Sequence, residues 1–177
     1  MKLLPSVLLI FTFVVTHAQK YKSEQSSITF FSEAAIENIA ATNSSATSLF
    51  NAETGEIAFL VQMDGFEFEK SLMQQHFNEK YMETHKFPTA SFKGKIIGFE
   101  KALNGKPRVK ATGQFTIHGQ SKAMEVEGFL TIDNREIIMS SSFMIELADY
   151  KIKIPKLLWQ NIAERVEVKI KFIYKPL

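Results

Sequence analysis

From Val166 to Tyr174 the chain alternates with a period of two. Val166, Val168, Ile170, Phe172 and Tyr174 fall on one side, and Glu167, Lys169, Lys171 and Ile173 on the other. Successive side chains of a strand point to opposite faces, so this segment reads as a strand with one dry face and one largely wet one. That is the pattern of an antiparallel sheet with one face on a core. The same period runs through Glu56–Met63, where Ile57, Phe59, Val61 and Met63 share a face, and through Lys110–His118, where Ala111, Gly113, Phe115 and Ile117 do. Weaker copies cover Ser27–Ala34, Ala46–Asn51, Ser91–Glu100, Ala123–Asp133 and Glu136–Leu147. Turn-forming residues lie between them: Asn51–Gly55, Leu103–Pro107 with its Asn104-Gly105 hairpin signal, His118–Lys122 and Asp133-Asn134-Arg135. Eight short strands so spaced predict a mainly β domain, a sandwich or barrel. Gly113 and Gly128, inside strands, allow the bending that closing a barrel requires.

One segment breaks the period. Glu69–Thr84 contains no Gly or Pro, and Met73, Phe77 and Tyr81 recur at helical spacing with Leu72 beside them, an apolar stripe facing Gln74, Gln75, Asn78 and Glu79. Pro88 stops this helix soon after Lys86. Ala148–Ile162 reads equally as loop, short strand or helical turn. With no repeats or linkers, the chain is a single domain.

The first residues have the layout of a secretory signal peptide: Lys2, an apolar run from Leu3 to Val15, then Thr16-His17-Ala18 before a cut ahead of Gln19. The run is about 13 residues, short of the roughly 20 that span a bilayer. The expectation is a segment 1–18 that is removed, a domain over 19–177, and a periplasmic or secreted location. There is no Cys, so a lipobox anchor, disulfides and thiol catalysis are all excluded. Losing Lys2 takes the formal charge from +2 to +1, which gives no argument for nucleic acid. No second stretch is long enough to span a membrane. Asn43-Ser44-Ser45 fits a glycosylation sequon and reads as a coincidence in a loop.

Three stretches carry a resemblance. Phe87-Pro88-Thr89-Ala90-Ser91-Phe92 follows the helix, Gly113-Gln-Phe-Thr-Ile-His118-Gly119-Gln-Ser-Lys122 forms a hairpin, and Ala148-Asp149-Tyr150 precedes Val166–Ile170. In this order they resemble the YceI-like family of polyisoprenoid-binding, lipocalin-like barrels, and the resemblance spans nearly all of residues 19–177. Phe115 stands where Leu is usual, Ser121 where Thr is usual, and Lys151 where a D-Y-G-I segment would have glycine. The resemblance implies an eight-stranded antiparallel barrel with one α-helix packed beside it. It also implies export, and an isoprenoid or fatty-acid-like lipid as the only bound group, with no other cofactor.

An eight-stranded barrel either fills its interior or holds one ligand. The inward faces bring together Phe59, Val61, Phe92, Ile96, Phe115, Ile117, Leu130, Met139, Phe143, Ile145, Val168, Ile170 and Phe172 as the expected lining. Met63, Met73, Met82, Met139 and Met144 would adapt to a cavity of variable shape. The 16 Phe, against 4 Tyr and 1 Trp, suit dry surfaces without polar handles. They suit a solid core equally, because a Phe-lined cavity and a Phe-packed core write the same alternation.

Catalysis finds little support. His76, His85 and His118 are the histidines after residue 18, and there is no G-x-S-x-G elbow. Alternation places His118 outside the barrel, as a turn residue. His76, Glu79 and Glu83 can share a helix face and give the one metal-binding alternative. The reading is an exported, non-enzymatic binding protein, monomer or homodimer, that holds an apolar isoprenoid or other lipid-like molecule. The alternative is a structural or stress-related interaction module with a packed barrel, acting through loops such as Asn38–Ser48 and Asp149–Ile162.

Overall fold

The computed structural model describes residues 20–33, 38–99, 108–133, 136–154 and 163–177. Residues 1–19, 34–37, 100–107 (with the Asn104-Gly105 hairpin signal), 134–135 and 155–162 lie outside the described residues, and with them the signal-peptide expectation. The described strands are β1 (Lys20–Ser32), β2 (Ile39–Asn43), β3 (Thr47–Asn51), β4 (Glu56–Gln62), β5 (Glu67–Phe68), β6 (Thr89–Ile97), β7 (Arg108–Ile117), β8 (Gln120–Asp133), β9 (Glu136–Glu146) and β10 (Arg165–Pro176). All pairings are antiparallel. The order runs β1-β3-β4-β6-β7-β8-β9-β10 and returns to β1, which closes an eight-strand barrel. Closure leaves no bare edge among these eight.

The strands match the alternation, with two instructive differences. β1 begins seven residues earlier than its hydrophobic pattern suggests. Tyr21 pairs with Pro176 and Phe31 with Glu167, but the register slips between Ser23 and Gln25. This bulge moves the inward set from Tyr21 and Ser23 to Ser26, Ile28 and Phe30, and so hides the period. The segment 38–48 is not a loop. Its residues form β2, which pairs with the second half of β1 and with β5, and the start of β3. A three-residue break, Ser44–Ala46, separates the two strands. Asn43 makes that break: its fully buried Nδ2 donates to Gln62 O (2.8 Å), and its Oδ1 accepts from Ser45 N (2.9 Å) and Ser45 Oγ (3.1 Å). The sequon asparagine thus ends β2 with its amide enclosed in the folded chain, and does not stand in an open loop.

The inward glycines prove necessary for close approach. Gly94 and Gly113 face each other across β6 and β7. A Cβ on Gly94 would lie 2.2 Å from Thr112 O, and one on Gly113 would lie 2.3 Å from Lys93 O. The ring of Phe92 rests over the pair, 2.9 and 2.8 Å from those two positions. Gly128 is similarly close to Ser140 O, at 2.7 Å.

The helical segment is shorter than its sequence pattern and changes pitch. Helix α1 (Ser71–His76) runs directly into a π turn, Phe77–Tyr81, in which Met82 N donates to Phe77 O at 2.8 Å. Widened turns of this kind re-aim side chains and are frequent at functional sites. Here the change points Phe77, Tyr81 and Met82 into the end of the barrel, so the segment sits over the barrel mouth rather than flat against its wall.

Candidate ligand-binding cavity

The barrel has two unlike halves. One is packed. Phe50, Leu130, Ile137, Phe172 and Tyr174 are each at most 2% exposed there. Phe50 lies edge-on to Phe99 (5.6 Å) and to Tyr174 (6.3 Å). The Tyr174 hydroxyl, buried with them, is satisfied by Ser48 Oγ at 2.6 Å, and Ser48 in turn donates to Ala58 O at 2.9 Å. A hydroxyl spending its proton on a carbonyl accepts from the phenol, so Tyr174 donates. Burial pushes the Tyr174 phenol well above its ordinary range.

The other half is hollow. A cavity of about 340 Å³, partly open to solvent, lies within it. β1 contributes Ile28 and Phe30, β4 Phe59 and Val61, and β7 Phe115 and Ile117. β9 adds Phe143 and Ile145, and β10 Val166, Val168 and Ile170. Ala90, the small inward residue of β6, leaves room opposite. Over the mouth, Leu72, Met73, Phe77, Tyr81 and Met82 form a lid, met from the far side by Leu147 and Ile152. Phe77 is the keystone of that lid: its ring stacks on Phe30 (5.5 Å) and tilts onto Phe66 (5.6 Å) and Phe68 (5.0 Å). The polar side chains on the wall are Ser32, His76 and Tyr81. Ser32 is buried and its Oγ accepts from Ala163 N at 3.0 Å, while partial burial raises the Tyr81 phenol. An apolar chamber with a few polar groups at its rim suits an apolar molecule with a small polar end.

Eight of the expected lining residues, Phe59, Val61, Phe115, Ile117, Phe143, Ile145, Val168 and Ile170, do line this cavity. Phe92, Ile96, Met139 and Phe172 do not. They border a separate space of about 60 Å³ in the packed half. Leu130 lines neither and is fully enclosed by other side chains. The reason is the same for all five: alternation fixes which face a residue takes, but not its depth along the barrel. Met63, Met73 and Met82 reach the cavity, Met139 the smaller space, and Met144 points outward, 47% exposed. The lid was the missed part of the site. Its stripe of Met73, Phe77 and Tyr81 was visible as a helix face, and nothing in the period said that it caps the barrel.

The three quoted motifs meet at this mouth. His118 follows β7 with a left-handed φ of 51° and, though it lines neither internal space, is buried rather than exposed. Its ring packs under Phe87 (4.4 Å), and a Cβ on Gly119 would strike Phe87 at 2.7 Å. Nδ1 lies 3.0 Å from Tyr150 O. A carbonyl only accepts, so Nδ1 carries the proton. Nε2 faces Glu83 Oε2 at 3.4 Å, an electrostatic contact beyond hydrogen-bond length. Lys122 reaches Asp149 at 2.5 Å, with its ammonium over the Tyr150 ring. Tyr150 itself packs edge-on against Phe115 at 5.6 Å, and burial raises its phenol. The hairpin therefore latches the 147–152 turn to the end of the lid. Lys151, standing where the family pattern has glycine, keeps the left-handed φ of 55° that glycine would favour.

The helix-face metal alternative does not assemble. Glu79 accepts from Gln75 Nε2 (3.1 Å), Glu83 turns to Lys86 Nζ (2.5 Å) and to His118, and His76 faces the cavity. The Lys86 ammonium holds the Glu83 carboxyl below the usual carboxylate range, with His118 adding a smaller share. Among the described residues no three His, Cys, Asp or Glu lie close enough to hold a metal ion.

A closed antiparallel barrel of eight strands, hollow at one end under a short helical lid, is a lipocalin-like barrel. The chain belongs to the YceI-like domain family, whose model matches residues 13–174. Its fold is similar to that of a polyisoprenoid binding domain from Saccharophagus degradans implicated in plant cell wall breakdown. The TM-score is 0.76 at 13% identity, covering 89% of this chain and 98% of that one. It is also similar to Burkholderia cenocepacia BcnA (TM-score 0.70, 15% identity, 84% and 95% covered) and to the Campylobacter jejuni YceI protein (TM-score 0.55, 12% identity, 98% and 93% covered). No curated protein matches the chain. No described helix is long and apolar enough to cross a membrane.

Proposed function

We propose that this chain is an exported carrier that holds one isoprenoid or similar apolar chain in the hollow half of its barrel and performs no catalysis. The observation that carries the reading is the 340 Å³ cavity, whose wall is apolar apart from Ser32, His76 and Tyr81. Liquid water occupies about 30 Å³ per heavy atom. On that scale the cavity takes roughly 11 heavy atoms, about two isoprene units. Each buried CH₂ is worth about 0.8 kcal/mol, so ten carbons contribute roughly 8 kcal/mol against an association cost of about 4–15 kcal/mol. A tail of that size is the least that binds usefully. Binding such a chain is what the Saccharophagus domain is described as doing.

Organic extraction of protein purified from its native host, followed by mass spectrometry, should release an apolar chain with a small polar end. Protein that releases none, and that takes up no prenyl alcohol in vitro, overturns the reading. Export is tested separately: the mature N-terminus should be Gln19. An intact Met1 in the accumulated native protein removes that part of the proposal.

A further inference from the structure

The hollow half and the 60 Å³ space are neighbours, and three residues, Phe59, Phe143 and Ile170, form walls of both. Phe59 is the best supported of the three. Its ring stacks on Phe92 at 5.4 Å with 15° between planes, and leans on Phe172 at 5.9 Å. Phe172 is 2% exposed, and Phe92 lies on the Gly94–Gly113 pair, where backbone stands behind it. Phe59 is itself only half-buried and borders open space on both sides of the boundary.

We propose that Phe59 is a chain-length stop: a floor across the barrel that ends the ligand chamber and sets how much of an apolar chain this protein accepts. This rests on the carrier reading above and names its specificity-determining residue. Below the stop the second space takes only about two heavy atoms at the same roughly 30 Å³ each. It is useless alone to an apolar chain, but it continues the chamber once the floor is removed. Phe59→Ala deletes six ring carbons, so the lengthened chamber gains room for roughly eight heavy atoms, about one and a half isoprene units.

The test is a titration of the full chain and of F59A with prenyl alcohols of two, three and four isoprene units, and with straight-chain alcohols spanning the same lengths. For the native protein, affinity should climb about fourfold per added carbon until about ten carbons are buried, then level off. In F59A the levelling point should move out by about five to eight carbons. Refilling the lower space in that background, with Ala111→Leu, should draw it back in. Should F59A fail to fold, Phe143→Ala opens the same floor from the opposite strand and is expected to move the break in the same direction. A native protein whose affinity keeps rising through four units overturns the stop, as does a break that stays in place in a folded floor variant. If neither protein binds any chain, the carrier reading falls and the stop falls with it. Binding with an unmoved break overturns the stop alone.

Discussion

The two halves of this barrel are built from the same residue type and do opposite things. In the packed half Phe50 meets Tyr21, Phe99 and Tyr174, and little space remains between the rings. In the hollow half Phe30, Phe66, Phe68 and Phe77 also touch one another, but as an arch over a void. The difference comes from what stands opposite. In the packed half the ring of Phe92 lies over the inward Gly94 and Gly113, and Leu130 and Ile137 are enclosed, so that only about 60 Å³ stays open. In the hollow half β6 offers only Ala90, and the lid holds its aromatic residues at the rim instead of letting them sink inward. Aromatic content therefore says nothing about whether a barrel is full. The size of the residue across the barrel, and the element that props the rim, decide it.

The largest effect should separate the halves on stability. Phe50→Ala opens a void where all atoms had partners, and should cost about 3–5 kcal/mol of the roughly 5–15 kcal/mol typical of a domain. Phe143→Ala removes a ring that already borders empty space, so mostly the transfer part is lost, under about 2 kcal/mol. Urea unfolding of the two variants measures both. Equal losses would mean that the hollow half is as tightly filled as the other.

A smaller effect sharpens the comparison at the rim. His118→Ala removes the donor to Tyr150 O and the ring under Phe87. Stranding that carbonyl should cost about 1–3 kcal/mol. The loss should be local, because the latch joins the 147–152 turn to the lid and touches nothing in the packed half. Hydrogen exchange should speed up at Ile152 and Met82, whose amides donate to Leu147 O and Phe77 O, and stay unchanged at the strand amides around Phe50. Faster exchange at both ends would show that the halves unfold as one unit.

Most of the barrel could be read before any coordinates, and the reason is visible in β10. A strand with one wet face must alternate, so its face assignments survive in the sequence, as they do for β4 and β7. What the period cannot carry is depth. Ile170 and Phe172 are two residues apart on one face, yet Ile170 borders both spaces and Phe172 only the lower one. Features set by single backbone atoms were equally silent. The bulge after Ser23, the break held by Asn43 and the π turn at Phe77 each change a direction without changing composition. His118 shows the opposite failure. Its alternation was read correctly as pointing away from the strand's inner face, but a turn with positive φ folds the ring back under Phe87.

The smallest effect concerns the buried hydroxyl pair of Tyr174 and Ser48 in the packed half. Tyr174→Phe keeps the ring and deletes its hydroxyl, so Ser48 Oγ loses a donor but keeps Ala58 O. At neutral pH the cost should be about 1 kcal/mol. Its pH dependence identifies it. The unfolded chain releases the phenol proton near pH 10, while the folded chain, with the group buried, holds it to higher pH. Above about pH 10 the unfolded state thus binds fewer protons than the folded one, and native stability falls as pH rises, by up to about 1.4 kcal/mol per unit from this group. The variant lacks that loss, so its deficit should shrink and then reverse as denaturation is followed from pH 8 toward pH 11. Tyr81 and Tyr150, also raised by burial, are present in both proteins and cancel from the difference. A deficit that stays constant across that range would mean that water reaches Tyr174, and that the packed half is not sealed from the hollow one.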